Sequence, residues 1–198
     1  MKRLLFVVGL ILGCIGVQAQ ENLRWGITGG LNVSKYSSEA FDFRPGFHAG
    51  VKAELALPQL TEGVYLDMEA LFSMKGAKIN GSSSRETKLN PFYLEIPIHI
   101  GYKYALNDRI AVFGNFGPYF GTGLFGKIKE GDYDENLFGS EDDRYLKRFD
   151  FGLGLKGGIE FNRCFQLSIG YDWGLIDLID EGENFRNRNL MISASYLF

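Results

Sequence analysis

Two histidines, His48 and His99, are the side chains of this 198-residue sequence best placed to move protons near neutral pH. A hydrolytic site would set such a histidine between a serine and a carboxylate. His48 opens an extended segment, and Ser34 and Ser73 end neighbouring ones, but no acid is spaced to complete the set. Both histidines are therefore expected to fill an interior. Gly152-x-Gly154-x-x-Gly157 has the spacing of a dinucleotide fingerprint, which requires a strand before it and a helix after it. Here the glycines sit inside a strand-like run that ends at Glu160, so they read as small residues that make room. Asp132-x-Asp134-x-Asn136 opens like a calcium loop, yet Leu137 stands where a glycine is required and Asp143 where the closing glutamate belongs. Two cysteines, Cys14 and Cys164, and two histidines are too few for a disulfide scaffold or a four-ligand zinc site. No cofactor, metal or catalytic residue is expected.

A second set of residues is more informative. Lys52, Glu54, Asp67, Glu69, Glu95, Lys103, Lys156, Glu160 and Asp172 all fall on one face of extended segments, joined there by Arg24 and Asp150. Their signs are mixed. Charges facing a narrow interior must be paired, so the set predicts a structural network of ion pairs and hydrogen bonds. Lys52, Glu54, Asp67, Glu69, Lys103 and Glu160 should gather toward one end, with Glu95 nearer the middle as a central partner. An open conduction path would favour one sign and more strands.

The elements that must hold these charges are strands. Hydrophobic residues make up 45% and aromatics 15%, with 26 glycines, which suits an all-β chain. The formal charge of −3 argues against a nucleic-acid partner. Lys2 and Arg3 precede an apolar run from Leu4 to Val17 and a small-residue site ending at Ala19. Residues 1–19 thus read as a secretory signal peptide and 20–198 as the mature domain; lipidation of Cys14 is the competing reading. Beyond position 20 no apolar run is long enough for a transmembrane helix. Period-two alternation instead recurs in eight segments: 23–34, 46–57, 64–77, 92–104, 110–125, 149–161, 165–175 and 188–198. Long connections (35–45, 78–91, 126–148, 176–187) alternate with short ones (58–63, 105–109, 162–164). This is the rhythm of an up-and-down barrel with short turns on the periplasmic side and longer extracellular loops.

The face opposite the charges is apolar along every segment, and no charge is expected on it. It includes Trp25 to Val33, Phe47 to Leu55, Leu94 to Tyr104, Phe165 to Leu175 and Leu190 to Phe198 in alternate positions. Aromatics gather at both ends of this face around an aliphatic middle, as in an interfacial girdle. A soluble lipocalin-like barrel would turn this face inward. The number of aromatics is too large for an eight-stranded interior, so the face is expected to meet lipid.

The motifs YLEIPIHIGYKY (93–104), NFGPYFG (115–121), FDFGLGLKGGIEF (149–161), YDWGLIDL (171–178) and the ending SASYLF resemble, in order, the bacterial outer-membrane β-barrel family often labelled porin family or PorT-like. That resemblance implies an eight-stranded antiparallel transmembrane β-barrel in the bacterial outer membrane. It also implies that the terminal aromatic Phe198 is read by the barrel-assembly machinery. It implies no particular activity. The expectation is a non-catalytic barrel with a plugged lumen and a structural or surface-interaction role, in contact with outer-membrane lipid and lipopolysaccharide. The alternatives are a small-solute channel or an outer-membrane enzyme such as a lipid A deacylase. Loop 126–148 carries Tyr133, Leu137, Phe138 and Tyr145 among many charges; these either form a surface for a ligand or fold back on the rim.

Overall fold

Alternation of β-branched, aromatic and small residues makes each segment a strand with two unlike faces. The structure, a computed structural model, describes residues 22–37, 41–79, 87–130, 133–138, 146–179 and 185–198. Among the described residues eleven strands follow in order: β1 (Leu23–Tyr36), β2 (Phe41–Asp42), β3 (Arg44–Ala56), β4 (Val64–Met74), β5 (Ala77–Ile79), β6 (Thr87–Ala105), β7 (Ile110–Glu130), β8 (Tyr133–Asn136), β9 (Phe149–Phe161), β10 (Phe165–Gly174) and β11 (Asn187–Leu197). Eight long ones form an antiparallel meander. β1 pairs with β11 from Gly26 opposite Leu197 to Tyr36 opposite Asn187, so the sheet closes on itself. Closure satisfies every ladder and leaves no barrel edge, the condition for strands to cross a bilayer. Among the described residues no helix is long and apolar enough to do so. The predicted signal peptide, the lipidation alternative at Cys14, and Asp132 with 139–143 of the stretch that opens like a calcium loop fall outside the described residues.

The short turns use local chemistry. Asn107 Oδ1 accepts from the amides of Arg109 and Ile110, both at 2.9 Å. Asn162 and Arg163 take φ of 48° and 61°, the positive pair that a type I′ hairpin turn requires. At the other end the strands run further than alternation predicts. β6 and β7 extend past the barrel, and β5 and β8 pair with them while β2 pairs with β5. Parts of the connections 35–45, 78–91 and 126–148 are therefore strand, because an extended hairpin recruits neighbouring chain by backbone pairing alone, with no apolar period to announce it. At the rim Phe92 faces Phe125 and Tyr93 faces Gly123, leaving Leu124 as the extra residue of a bulge.

The faces sort as the sequence predicts. Leu31 is 65% exposed and Val51 52%, pointing away from the axis, while Lys52 and Glu95 are buried inside. Two details differ. Ala53 and Leu55 lie on the outer face yet are buried, since Ala53 sits between Trp25 and Met68 in the ladder and Leu55 between Leu23 and Leu66. Arg188, inside a predicted segment, shares the apolar face at its far end, so that face is not free of charge. It stands where the belt stops, one residue of the same face above Leu190.

An apolar cluster closes the long-loop end. Tyr36, Leu89 and Tyr93 from the strands meet Leu137, Phe138, Leu146, Leu178 and Phe185 from the loops. Tyr36 stacks on Phe185 with ring centroids 4.0 Å apart. Leu137 and Phe138 thus fold back onto the rim instead of facing solvent. Arg148 pins this fold-back by donating to the carbonyls of Gly123 (3.1 Å), Leu124 (3.1 Å) and Phe138 (2.9 Å).

Candidate functional site: the lumen network

Inward positions of the eight long strands carry the polar set, and the bore is narrow enough for facing side chains to touch. They meet in three tiers. In the tier nearest the short turns, Lys103 Nζ donates to Glu54 at 2.7 Å and Glu160 at 2.6 Å. Arg24 pairs with Glu160 at 3.0 Å and with Glu54. Gln166 donates to both carboxylates, at 3.0 and 2.7 Å. Lys103 also lies 5.1 Å from the centre of the Tyr65 ring. Below this tier opens a vestibule of about 660 Å³ toward the short turns, whose inner wall includes Arg24, Glu54, Lys103 and Glu160.

In the middle tier Lys52 donates to Asp67 at 2.8 Å and Glu69 at 3.3 Å, and Lys156 reaches Glu69 at 2.7 Å. Asn115 donates to Asp67 at 2.8 Å, and its Oδ1 accepts from His99 Nδ1 at 3.0 Å. In the upper tier Lys75 pairs with Glu95 and lies 3.8 Å from Asp172. Its ammonium sits 4.7 Å from the Tyr119 ring centre. Tyr119 donates to Asp150 at 3.1 Å, and Asn187 donates to the same carboxylate at 2.7 Å. Between the two upper tiers lies a cavity of about 10 Å³ bounded by Glu69, Glu95, His99, Lys156 and Asp172, room for about one water.

All nine predicted network residues therefore face the bore; eight are buried, and Lys103 is half-buried at the vestibule. Of the six expected to gather toward one end, Glu54, Lys103 and Glu160 do so, whereas Lys52, Asp67 and Glu69 form the middle tier with Lys156, and Glu95 sits in the upper tier. Sequence reading missed Lys75. Its signal was present, since Tyr65, Asp67, Glu69, Leu71 and Ser73 point inward at alternate positions and Lys75 continues the series, though β4 ends at Met74. Asn115, Asn187 and Gln166 were also missed, because an amide reads as neutral on either face.

The histidines serve the packing. His48 bonds Asn32 Oδ1 at 2.7 Å and Ser193 Oγ at 2.9 Å, and Ser73 receives the Asn32 amide at 2.9 Å. Ser34 donates to the Gly76 carbonyl at 2.9 Å. The Gly152-x-Gly154-x-x-Gly157 run lies wholly within β9, and a Cβ at Gly154 would meet Asp172 Oδ1 at 2.7 Å and the His99 ring at 2.9 Å. Those glycines give the lumen room for larger partners. Among the described residues no group of three or more acids, histidines or cysteines is arranged for a metal. Phe198 lies exposed on the outer face with its amide on the Trp25 carbonyl at 2.8 Å, and the Cys164 thiol, in no disulfide among the described residues, donates to the Phe161 carbonyl at 3.8 Å.

Residues 18–180 match the family model for an outer membrane protein beta-barrel domain. Among solved structures the chain is similar to Neisserial surface protein A, with 14% identity, 88% of this chain and 97% of that chain covered, and a TM-score of 0.50. It is also similar to the attachment invasion locus protein of Yersinia pestis in complex with a heparin analogue (15% identity, 89% and 99% covered, TM-score 0.48). A third is the outer membrane protein OprG of Pseudomonas aeruginosa (13% identity, 89% and 94% covered, TM-score 0.45). No curated protein matches the chain. At these identities the likeness to Neisserial surface protein A concerns the fold.

Proposed function

We propose that this chain, which belongs to the outer membrane protein beta-barrel domain family, is a sealed, non-catalytic barrel that works through its surface. It resides in the bacterial outer membrane, with its apolar wall in lipid. The observation that carries the sealed reading is Lys156 bonding Glu69 across the bore at 2.7 Å. Two further tiers of ion pairs and the apolar cap lie in series with it. A solute would have to strip each pair in turn, and removing one partner of a buried pair costs about 3–5 kcal/mol. The non-catalytic reading rests on the histidines, whose ring contacts are amides and a hydroxyl. With Leu137 and Phe138 turned inward, we assign contact with a surface ligand to the charged residues of loop 126–148. Phe198, exposed at the closing seam, is the group we assign to recognition by the assembly machinery.

Purified protein in a planar bilayer is expected to give no steady current. A reproducible conductance from the unaltered chain would overturn the sealed reading. Lipid A mass profiles with and without the protein are expected to coincide; a shifted acyl pattern would overturn the non-catalytic one.

A further inference from the structure

The three tiers of the lumen are not alike in charge. Arg24 and Lys103 face Glu54 and Glu160 in the first, and Lys52 and Lys156 face Asp67 and Glu69 in the second, so each of these balances and stays ionic. In the upper tier Lys75 is the one ammonium, among the described residues, paired with Glu95 and Asp172. Asp150 lies beside them and is held by neutral donors, Tyr119 and Asn187. Three carboxyls thus share one amine. Unmatched buried ions are costly, and buried groups take their neutral forms instead. Protons therefore stay on carboxyls of this tier, and a carboxylic acid stands beside an amine.

The amine also reaches far. β4 and β10 stand four strands apart whichever way the closed wall is followed, so Lys75, just past the end of β4, crosses the bore to meet Asp172 of β10. Its ammonium pairs with Glu95 and lies 3.8 Å from Asp172 Oδ2. All three side chains are buried, and the centre of the Tyr119 ring lies 4.7 Å from Lys75 Nζ. Glu95 and Asp172 both border the cavity of about 10 Å³, which has room for about one water. A desolvated amine, a carboxyl within reach, a second carboxyl to carry the proton and a place for the water released are the parts of an amide condensation.

We propose that the folded barrel welds itself through an isopeptide bond between Lys75 Nζ and the side-chain carboxyl carbon of Asp172. Lys75 passes a proton to Glu95 and attacks the protonated Asp172 carboxyl as the free amine. A turn about the lysine's terminal bonds supplies the last approach, since reacting atoms engage at about 3–3.5 Å. The C–N bond forms and the C–O bond breaks. The departing hydroxyl leaves as water with a second amine proton, relayed by Glu95, and Glu95 keeps the proton it first took. Nothing is oxidised or reduced, and no co-reactant is needed. The weld ties opposite walls of the barrel together. It does not rest on the sealed, non-catalytic reading, because the chain is its own only substrate and the bond is read from peptide masses whatever the bore conducts.

The test uses the barrel as purified from membranes, denatured, digested and analysed by tandem mass spectrometry. The wild-type digest is expected to hold the Lys75 and Asp172 peptides as a single branched species, lighter than their sum by one water. Glu95→Gln, with its unboiled gel band as the check on folding, is expected to give the two peptides separately. Boiled wild type, still looped between residues 75 and 172, is expected to run ahead of boiled Glu95→Gln on a denaturing gel. The wild-type digest decides the bond whether or not the variant folds. Separate Lys75 and Asp172 peptides from folded wild type would overturn the weld, as would a bond from Lys75 to Glu95 in place of Asp172. A link as complete in folded Glu95→Gln as in wild type would overturn the proton-carrying role of Glu95.

Discussion

Lys156 on β9 and Glu69 on β4 meet at 2.7 Å although β6 and β7 lie between their strands. No ladder bond brings them together; only the curvature of a closed eight-stranded wall does. Lys52 reaches the same carboxylate from β3, so Glu69 ties three strands at one height of the bore. The same geometry that fixes the barrel's diameter thus sets paired charges across its bore at this height.

The Glu69→Gln variant leaves Lys52 and Lys156 facing an amide in a buried site. It is expected to lose about 3 kcal/mol of stability in urea unfolding. Adding Lys156→Met should restore part of that loss, because one stranded charge is gone. Losses that simply add in the double variant would show that the two groups do not act as a pair.

Val51→Arg tests the sidedness directly. Val51 is half-exposed on the outer wall midway along β3. An arginine at bilayer depth on that face costs about 2–4 kcal/mol, so folded protein in the outer-membrane fraction should fall. Unchanged insertion would place this face elsewhere than in lipid.

Gly154→Val places a branched side chain where even a Cβ would press on Asp172 and the His99 ring. Overpacking of this kind typically costs about 1–3 kcal/mol. The measurement is the thermal midpoint of refolded protein, expected to drop; an unchanged midpoint would mean the lumen has room to spare there.

Phe138→Ala should loosen the cap without undoing the barrel. The ring lies edge-on to Tyr93, centroids 5.9 Å apart, and its backbone carbonyl accepts from Arg148. Limited proteolysis of the intact protein is expected to show faster cleavage within 126–148, while the barrel core stays resistant. Equal cleavage rates would mean that the cap does not order the loop.

In the loop 176–186, Arg186 holds the Asp177 carboxyl below its ordinary value through hydrogen bonds at 3.2 and 3.4 Å, aided by the Phe185 amide at 3.0 Å. A carboxyl lowered by folding contributes stability above its unfolded value and loses it as pH falls through the folded value. An NMR titration should therefore find Asp177 protonating below the ordinary range of an aspartate, and Arg186→Ala should return it upward. A midpoint unmoved by that substitution would dissociate the pair.

Much of this was legible in the chain. Period-two alternation from Leu23 to Phe198 dictates two-faced strands, and the long–short rhythm of connections dictates a meander. The charges at Lys52 and Glu54, at Asp67 and Glu69, and at Glu95 and Lys103 mark the inner face because the two members of each pair are an even step apart within one strand. The loop segments were less legible. Leu137 and Phe138 sit in a charged stretch, and nothing local says whether they face water or return to the rim. The strands β2, β5 and β8 carry no periodicity, since their pairing is by backbone.

By itself, then, the order of side chains determined which face of each barrel strand is oily, that eight strands build the barrel wall and that their charges must be partnered, because these follow from local spacing and the cost of burying ions. Only closure decided which charge meets which. Lys156 with Glu69 and Lys75 with Glu95 depend on strand register and wall curvature, and those are set by contacts between residues far apart in the chain.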